Sequence, residues 1–208
     1  MIKRIIFDFD GTLVPFRDEY YKTLYDFYEP YLKGDKEKAF FKLMNYIENN
    51  IKYYNKESFI KIVEGYLDIK IDDKLYQSFI DIMINLYKEE DRSIEPLLKY
   101  LSSKYELVIL TNWLKEVQIG KLKKLGLDKY ISKIYSCDTY LVKPNKEAFE
   151  HAVGNLKYSE CVMVGDDFKI DIKPANELGM TTYFLTDQDV ELDNNICIKN
   201  INNLKEFL

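Results

Sequence analysis

Two hydrophobic patterns alternate along the chain. Short apolar runs occur at Ile5-Ile6-Phe7, Leu107-Val108-Ile109-Leu110 and Cys161-Val162-Met163-Val164. Runs apolar at every position suit strands buried on both faces, as in parallel sheets. Shorter strands are predicted at Ile134-Tyr135-Ser136, Thr181 to Leu185 and Ile196 to Ile198. Helical periodicity fills the gaps. One helix carries Pro96 in its first turn with Leu97, Leu98 and Leu101 behind it. A second runs from Thr111-Asn112 to a stop at Gly126. A third spans Asn145 to Asn155, a fourth carries Ile172, Ala175 and Leu178 up to Gly179, and a short one lies near Leu204. Strands alternating with helices predict right-handed βαβ units and a parallel sheet.

The alternation is interrupted once, directly after the first strand. Between residues 15 and 92 strand signals vanish, and four helices are predicted. Tyr20, Tyr21, Leu24, Phe27, Tyr28 and Tyr31 recur at helical steps until Pro30 bends or ends that helix. Asp35, Asn55 and Asp72 or Asp73 can cap the next three. The expected organisation is an α/β Rossmann-like core, residues 1–14 and 93–208, with helices on both faces. A four-helix cap, residues 15–92, is inserted with its own small core.

Composition narrows the partners. The 208 residues carry 35 acids against 30 bases, a net charge of −5, with the signs interspersed. No basic block marks a nucleic-acid or membrane surface, and no apolar run approaches a membrane span. No signal peptide is read at the start, since the first strand begins almost at once. The three cysteines, Cys137, Cys161 and Cys197, are widely spaced and suit reduced thiols in a cytoplasmic protein. The single histidine, His151, falls inside a predicted helix and reads as an ordinary helix residue. The aromatic stripes of the insertion read as core before they read as a ligand box. Tyrosine, apolar in body and polar at its tip, also suits a half-wet lid.

The candidate chemistry sits at strand ends. The first strand runs into Asp8-Phe9-Asp10-Gly11-Thr12, the next into Thr111-Asn112, and a later one into Gly165-Asp166-Asp167. Lys143-Pro144 precedes the helix between the last two. In a doubly wound sheet these C-terminal ends share one edge, where ligands bind. Extended backbone would turn Asp8 and Asp10 to one side, and two carboxylates that close require a proton or an intervening cation. Taken singly, each feature has a structural reading: Asp-x-Asp-Gly-Thr as a turn, Thr111-Asn112 as a helix cap, Lys143 as a surface charge, Asp167 and Asp171 as caps.

Together they suit phosphoryl transfer. A near-dianionic phosphate beside a carboxylate nucleophile costs about 4 kcal/mol per charge pair at an effective dielectric of ~20. Mg2+ offsets that repulsion. Lys143 adds a point charge, Thr111 a hydroxyl, and the amides of Phe9, Gly11 and Asn112 a backbone cradle. Asp8 would attack phosphorus, and Asp10 would protonate the leaving oxygen and then deprotonate water.

In these residues the sequence resembles the haloacid dehalogenase superfamily, which is mostly phosphatases. The four motifs appear in order as Asp8-Phe9-Asp10-Gly11-Thr12-Leu13, Leu107 to Asn112, Lys143-Pro144, and Val164-Gly165-Asp166-Asp167 through Asp171. The resemblance implies a helical cap after the first motif. It implies Asp8 as nucleophile and Mg2+ ligand, Asp10 as acid/base with its carbonyl on the metal, Asp166 as third ligand, and Asp167 and Asp171 as accessory acids. The expected substrate is a small phosphorylated metabolite, and the expected assembly a monomer or homodimer. Two other readings keep parts of this chemistry. A dehalogenase would attack carbon without metal, and relatives of that branch lack the second acid. A phospho-receiver module would hold the phosphoryl group without turnover, but its acceptor lies on a later strand. Arg17, Tyr20, Trp113 and Tyr140 flank the motifs and are candidates to touch the leaving group.

Overall fold

In the computed structural model, which describes residues 1–17, 19–188 and 196–208 (backbone only for 89–91), β1 (Arg4–Phe7) is the centre of a six-stranded sheet. The order is β3-β2-β1-β4-β5-β6, with β2 at Glu106–Leu110, β3 at Lys133–Tyr135, β4 at Cys161–Gly165, β5 at Thr181–Leu185 and β6 at Ile196–Ile198. Every pairing is parallel. This is the Rossmann-like architecture expected. Phe7 pairs with Ile109 on one side and Val164 on the other, so the segments that follow emerge side by side. Strand order reverses between β1 and β4, which opens a crevice at that edge.

Alternation along β1 distributes its side chains between two layers. Ile5, Phe7 and Phe9 pack with Leu97, Leu98 and Leu101 of α5 (Glu95–Ser102) and with Leu122 and Leu125 of α6 (Lys115–Leu125). Ile6 packs on the opposite face with Ala148, Phe149 and Ala152 of α7 (Lys146–Val153) and Ala175 of α8 (Lys173–Glu177). A last helix, α9 (Leu204–Phe207), adds Leu204 to the first layer.

The insertion forms α1 (Glu19–Tyr28), α2 (Lys36–Asn50), α3 (Lys56–Leu67) and α4 (Asp73–Asn85). Pro30 lies in the 3-10 turn that ends α1. Asp35, Asn55 and Asp72 accept from the backbone amides of Lys38, Ser58 and Leu75 at 3.2, 2.9 and 2.8 Å. Such caps contribute ~1 kcal/mol each by satisfying orphan donors.

Three local expectations are adjusted. The core of the insertion is not its own: Leu114 and Val117 of the α6 region are buried within it, with Trp113 and Val142 against its edge. The contact is close enough that a Cβ on Gly120 of α6 would lie 2.1 Å from Ile84 Cδ1 of α4. The second core helix starts at Lys115 behind Leu114, which makes no side-chain cap, so Thr111 and Asn112 are free of capping duty. The third is shorter than read, since Gly154 ends it with φ +59°.

Candidate active site

The loop after β1 turns sharply at Gly11, whose φ is +91° and whose added Cβ would lie 2.3 Å from Asp166 Oδ2. Only glycine tolerates both the angle and the approach. Its amide donates to Val14 O at 2.8 Å. The expected contribution of Gly11 to a phosphate cradle is therefore replaced by a steric one: it lets Asp166 come close. Thr12, which the sequence reading left without a role, donates its hydroxyl to Asp166 Oδ1 at 2.6 Å.

Past β4 the chain makes one wide π-helical turn, Phe168–Ile172, capped by Asp167, which accepts from Lys169 and Ile170 N at 2.8 and 2.9 Å. Wide turns of this kind recur at functional sites. Here the turn brings Asp171 back over Gly165, where a Cβ would lie 2.5 Å from Asp171 Oδ2. Lys143 lies between two acids, 2.7 Å from Asp8 Oδ1 and 2.6 Å from Asp171 Oδ1. Asn112 holds that loop in place: its amide group donates to Lys143 O and accepts from Lys143 N, both at 2.8 Å. What Asn112 can offer an anion is thus its backbone amide. The Thr111 hydroxyl accepts from Gln118 Nε2 at 2.9 Å, which leaves its proton to donate.

Asp8, Asp166 and Asp171 bring carboxylate oxygens within 4.8 Å of one another. Burial raises the Asp8 carboxyl above its usual value, and partial desolvation on the cleft side raises that of Asp166, a residue exposed overall; Lys143 and Thr12 offset these only in part. Burial likewise pushes Asp171 up to about 7 against the pull of Lys143. Burial pulls Lys143 down, but Asp171 and Asp8 outweigh it and leave the ammonium above its ordinary value. Three oxygen donors under mutual strain are a set that a hard divalent cation satisfies. They fit Mg2+.

Asp10 faces a different set of partners. Its Oδ1 accepts from Lys121 Nζ at 2.7 Å and from the Tyr87 hydroxyl, and its Oδ2 from Gln118 Nε2 at 2.9 Å. Burial opposes its ionisation, yet Lys121, Tyr87 and Gln118 together hold the carboxyl below its usual value. A separate lysine beside each offsets part of the repulsion foreseen between Asp8 and Asp10, although the Asp10 charge still raises the Asp8 carboxyl. Lys121 and Gln118 are fully buried, one helical turn apart on α6. Sequence reasoning missed both. The available signal was two polar residues among the buried positions Val117, Leu122 and Leu125.

These groups line one cleft of about 280 Å3. Asp8, Asp10, Asp166, Asp167 and Asp171 supply its acids, with Thr111, Asn112 and Lys143 beside them. Phe16, Tyr20, Trp113 and Ile170 form the rest of the lining. Of the flanking candidates, Tyr20 and Trp113 reach the cleft, while Arg17 and Tyr140 are not among its lining residues. Tyr140 instead stacks on His151 of α7, with ring centroids 4.2 Å apart. Phe16 was not anticipated.

A Rossmann-like sheet with a carboxylate pair after its first strand, a lysine between two acids and an inserted helical layer defines a class of α/β hydrolases. The chain belongs to the haloacid dehalogenase-like hydrolase family, whose model matches residues 5–185. It is 31% identical over 194 residues to a glyceraldehyde 3-phosphate phosphatase of Methanocaldococcus jannaschii, covering 88% of this chain and 84% of the relative. A 2-haloacid dehalogenase from Pseudomonas syringae shares the fold with a TM-score of 0.75 at 20% identity, over 99% of this chain and 97% of that one. A magnesium-bound putative hydrolase of the family from Bacillus subtilis does so with a TM-score of 0.70 at 21% identity, over 99% and 98%. No helix among the described residues is long and apolar enough to cross a membrane.

Proposed function

We propose that the protein is a Mg2+-dependent phosphatase that hydrolyses a small phosphomonoester through an aspartyl-phosphate on Asp8. The observation that carries this is the position of Asp8: its carboxylate is 2.7 Å from the Lys143 ammonium and within 4.8 Å of the Asp166 and Asp171 oxygens. Carboxylates alone would repel a phosphate. A carboxylate flanked by an ammonium and a cation-competent acid cluster can attack one. The phosphatase activity named for the Methanocaldococcus relative supports the same reading.

Asp8, Asp166 and Asp171, with the Asp10 carbonyl, would hold the cation, which when bound would offset charge on the phosphate. The chain supplies the rest. Lys143 and the Thr111 hydroxyl draw the transferring group toward Asp8, and the amides of Phe9 and Asn112 take its remaining oxygens. Asp8 Oδ forms a bond to phosphorus as the ester oxygen leaves. Asp10 delivers a proton to that oxygen and then takes one from the water that cleaves the acyl phosphate. Since Lys121, Tyr87 and Gln118 hold Asp10 ionised in the structure, donation requires it to gain a proton when substrate binds. Residues 15–92 act as the cap that closes over the cleft, with 1–14 and 93–208 as the catalytic core.

The test is phosphate release from 4-nitrophenyl phosphate by the purified protein. Turnover should require Mg2+ and vanish in Asp8→Asn. Mg2+-dependent turnover that survived Asp8→Asn would remove Asp8 as nucleophile. Halide release from a 2-haloacid with chelator present would establish the dehalogenase reading instead.

A further inference from the structure

We infer that the leaving group admitted by this cleft is uncharged, and that esters bearing a second anion are rejected. This rests on the phosphatase reading and narrows its substrate class.

Charge is the first argument. Among the described residues that line the cleft Lys143 is the one base, and it is already committed to Asp8 and Asp171 at 2.7 and 2.6 Å. Two lysines of α6 near the cleft are held in ion pairs. Lys121 is paired with Asp10 at 2.7 Å and Lys115 with Asp138 at 3.3 Å, and Arg17, next to Phe16, is not among the lining residues. Five acids share the cleft. A cation and one phosphate leave the acidic balance in place, so a second phosphate or a carboxylate on the substrate meets like charge.

The wall is the second argument. Phe16, Tyr20 and Trp113 form one aromatic row, with centroids 4.9 Å apart for Phe16–Tyr20 and 6.1 Å for Tyr20–Trp113. Such a surface packs against the carbon skeleton of a substrate, and the polar groups it carries, the Tyr20 hydroxyl and the buried Trp113 indole N–H, are neutral donors that bring no positive charge to set against a second anion.

The experiment compares kcat/KM for glycerol 3-phosphate and 3-phosphoglycerate, equal in chain length and differing in a carboxylate, with 4-nitrophenyl phosphate as control. The expected preference for the glycerol ester is at least about 10-fold. Phe16→Arg, at a side chain 47% exposed and so able to accept a charge, should raise kcat/KM for 3-phosphoglycerate several-fold without raising it for the glycerol ester. A wild-type ratio near one, or a reversed one, overturns the inference and leaves the phosphatase reading standing. Unchanged discrimination in Phe16→Arg overturns the role given to the aromatic wall. Absence of turnover on all three esters overturns the phosphatase reading itself.

Discussion

Lys121 Nζ lies 2.7 Å from Asp10 Oδ1, and the lysine is fully buried. It also lies over the rings of Tyr87 and Phe9, 4.5 and 5.5 Å from their centroids. The pair joins α6 to the loop after β1. It also fixes the direction in which the second motif aspartate points.

Removing one member leaves the other buried and uncompensated. Lys121→Met should destabilise the protein by about 3 kcal/mol. The double variant Lys121→Met/Asp10→Asn should recover part of that loss, since the orphaned charge is gone. Urea unfolding of the four proteins of the cycle measures it. Strict additivity of the two single changes would show that the pair is not coupled.

Asp10 matters in proportion to how badly the leaving oxygen needs a proton. Asp10→Asn should lower kcat by roughly 100-fold or more on an alkyl phosphate. It should lower kcat far less on 4-nitrophenyl phosphate, whose phenolate leaves without help. Equal losses on both substrates would argue against a proton-transfer role.

Mg2+ should stabilise the fold through Asp8, Asp166 and Asp171. At 100 times its dissociation constant a ligand bound only by the native state adds about 2.7 kcal/mol. The melting temperature should therefore rise with Mg2+ and fall back with chelator. Partial desolvation and the Asp8 charge oppose ionisation of Asp166, exposed though it is, in the metal-free fold. Asp166→Asn should thus melt no lower than wild type without Mg2+ and lose the Mg2+-dependent rise. A full rise retained in Asp166→Asn would move the cation elsewhere.

Glu95 gives a pH signature far from the site. It accepts from Arg92, Lys129 and Tyr130, with contacts of 2.8, 2.8 and 2.9 Å, and these lower its carboxyl to about 2. A folded value depressed below the unfolded 4.5 means a contribution fully present above pH 4.5 and lost as pH falls through about 2. Glu95→Gln should lower the melting temperature at pH 6, and the gap from wild type should close on acidification across that window. A gap independent of pH would attribute the effect to packing.

Docking of the insertion on α6 can be tested at Gly120. Gly120→Ala places a methyl 2.1 Å from Ile84 Cδ1 and should cost about 1–3 kcal/mol by overpacking. Ile84→Ala added to it should return part of that. Thermal melts suffice, and an unaffected Gly120→Ala would mean that α4 shifts freely on α6.

Much of the site was legible because its chemistry lies in contiguous motifs at strand ends. Asp8, Asp10, Thr111, Lys143 and Asp166 follow apolar runs or turn residues. A parallel sheet delivers such ends to one edge whatever the intervening chain does. Caps at Asp35, Asn55 and Asp72 were legible for a similar reason: a cap hydrogen bond spans three residues. Gly11 was legible as a turn, but its closeness to Asp166 depends on two strands being neighbours.

The sequence by itself determined the element order, the parallel core, the helical insertion and the acidic, hydroxyl and lysine groups of the cleft. Tertiary structure alone decided how those groups are paired. Asp8 and Asp10, two positions apart, are neutralised by Lys143 and Lys121 from different elements. Leu114 and Val117 complete the core of an insertion that precedes them by dozens of residues. Periodicity reports which face of a helix is buried, but the partner on that face is set by packing between segments distant in sequence. That is why Lys121 reads as one more basic residue of a helix until α6 is seen lying across the end of the first strand.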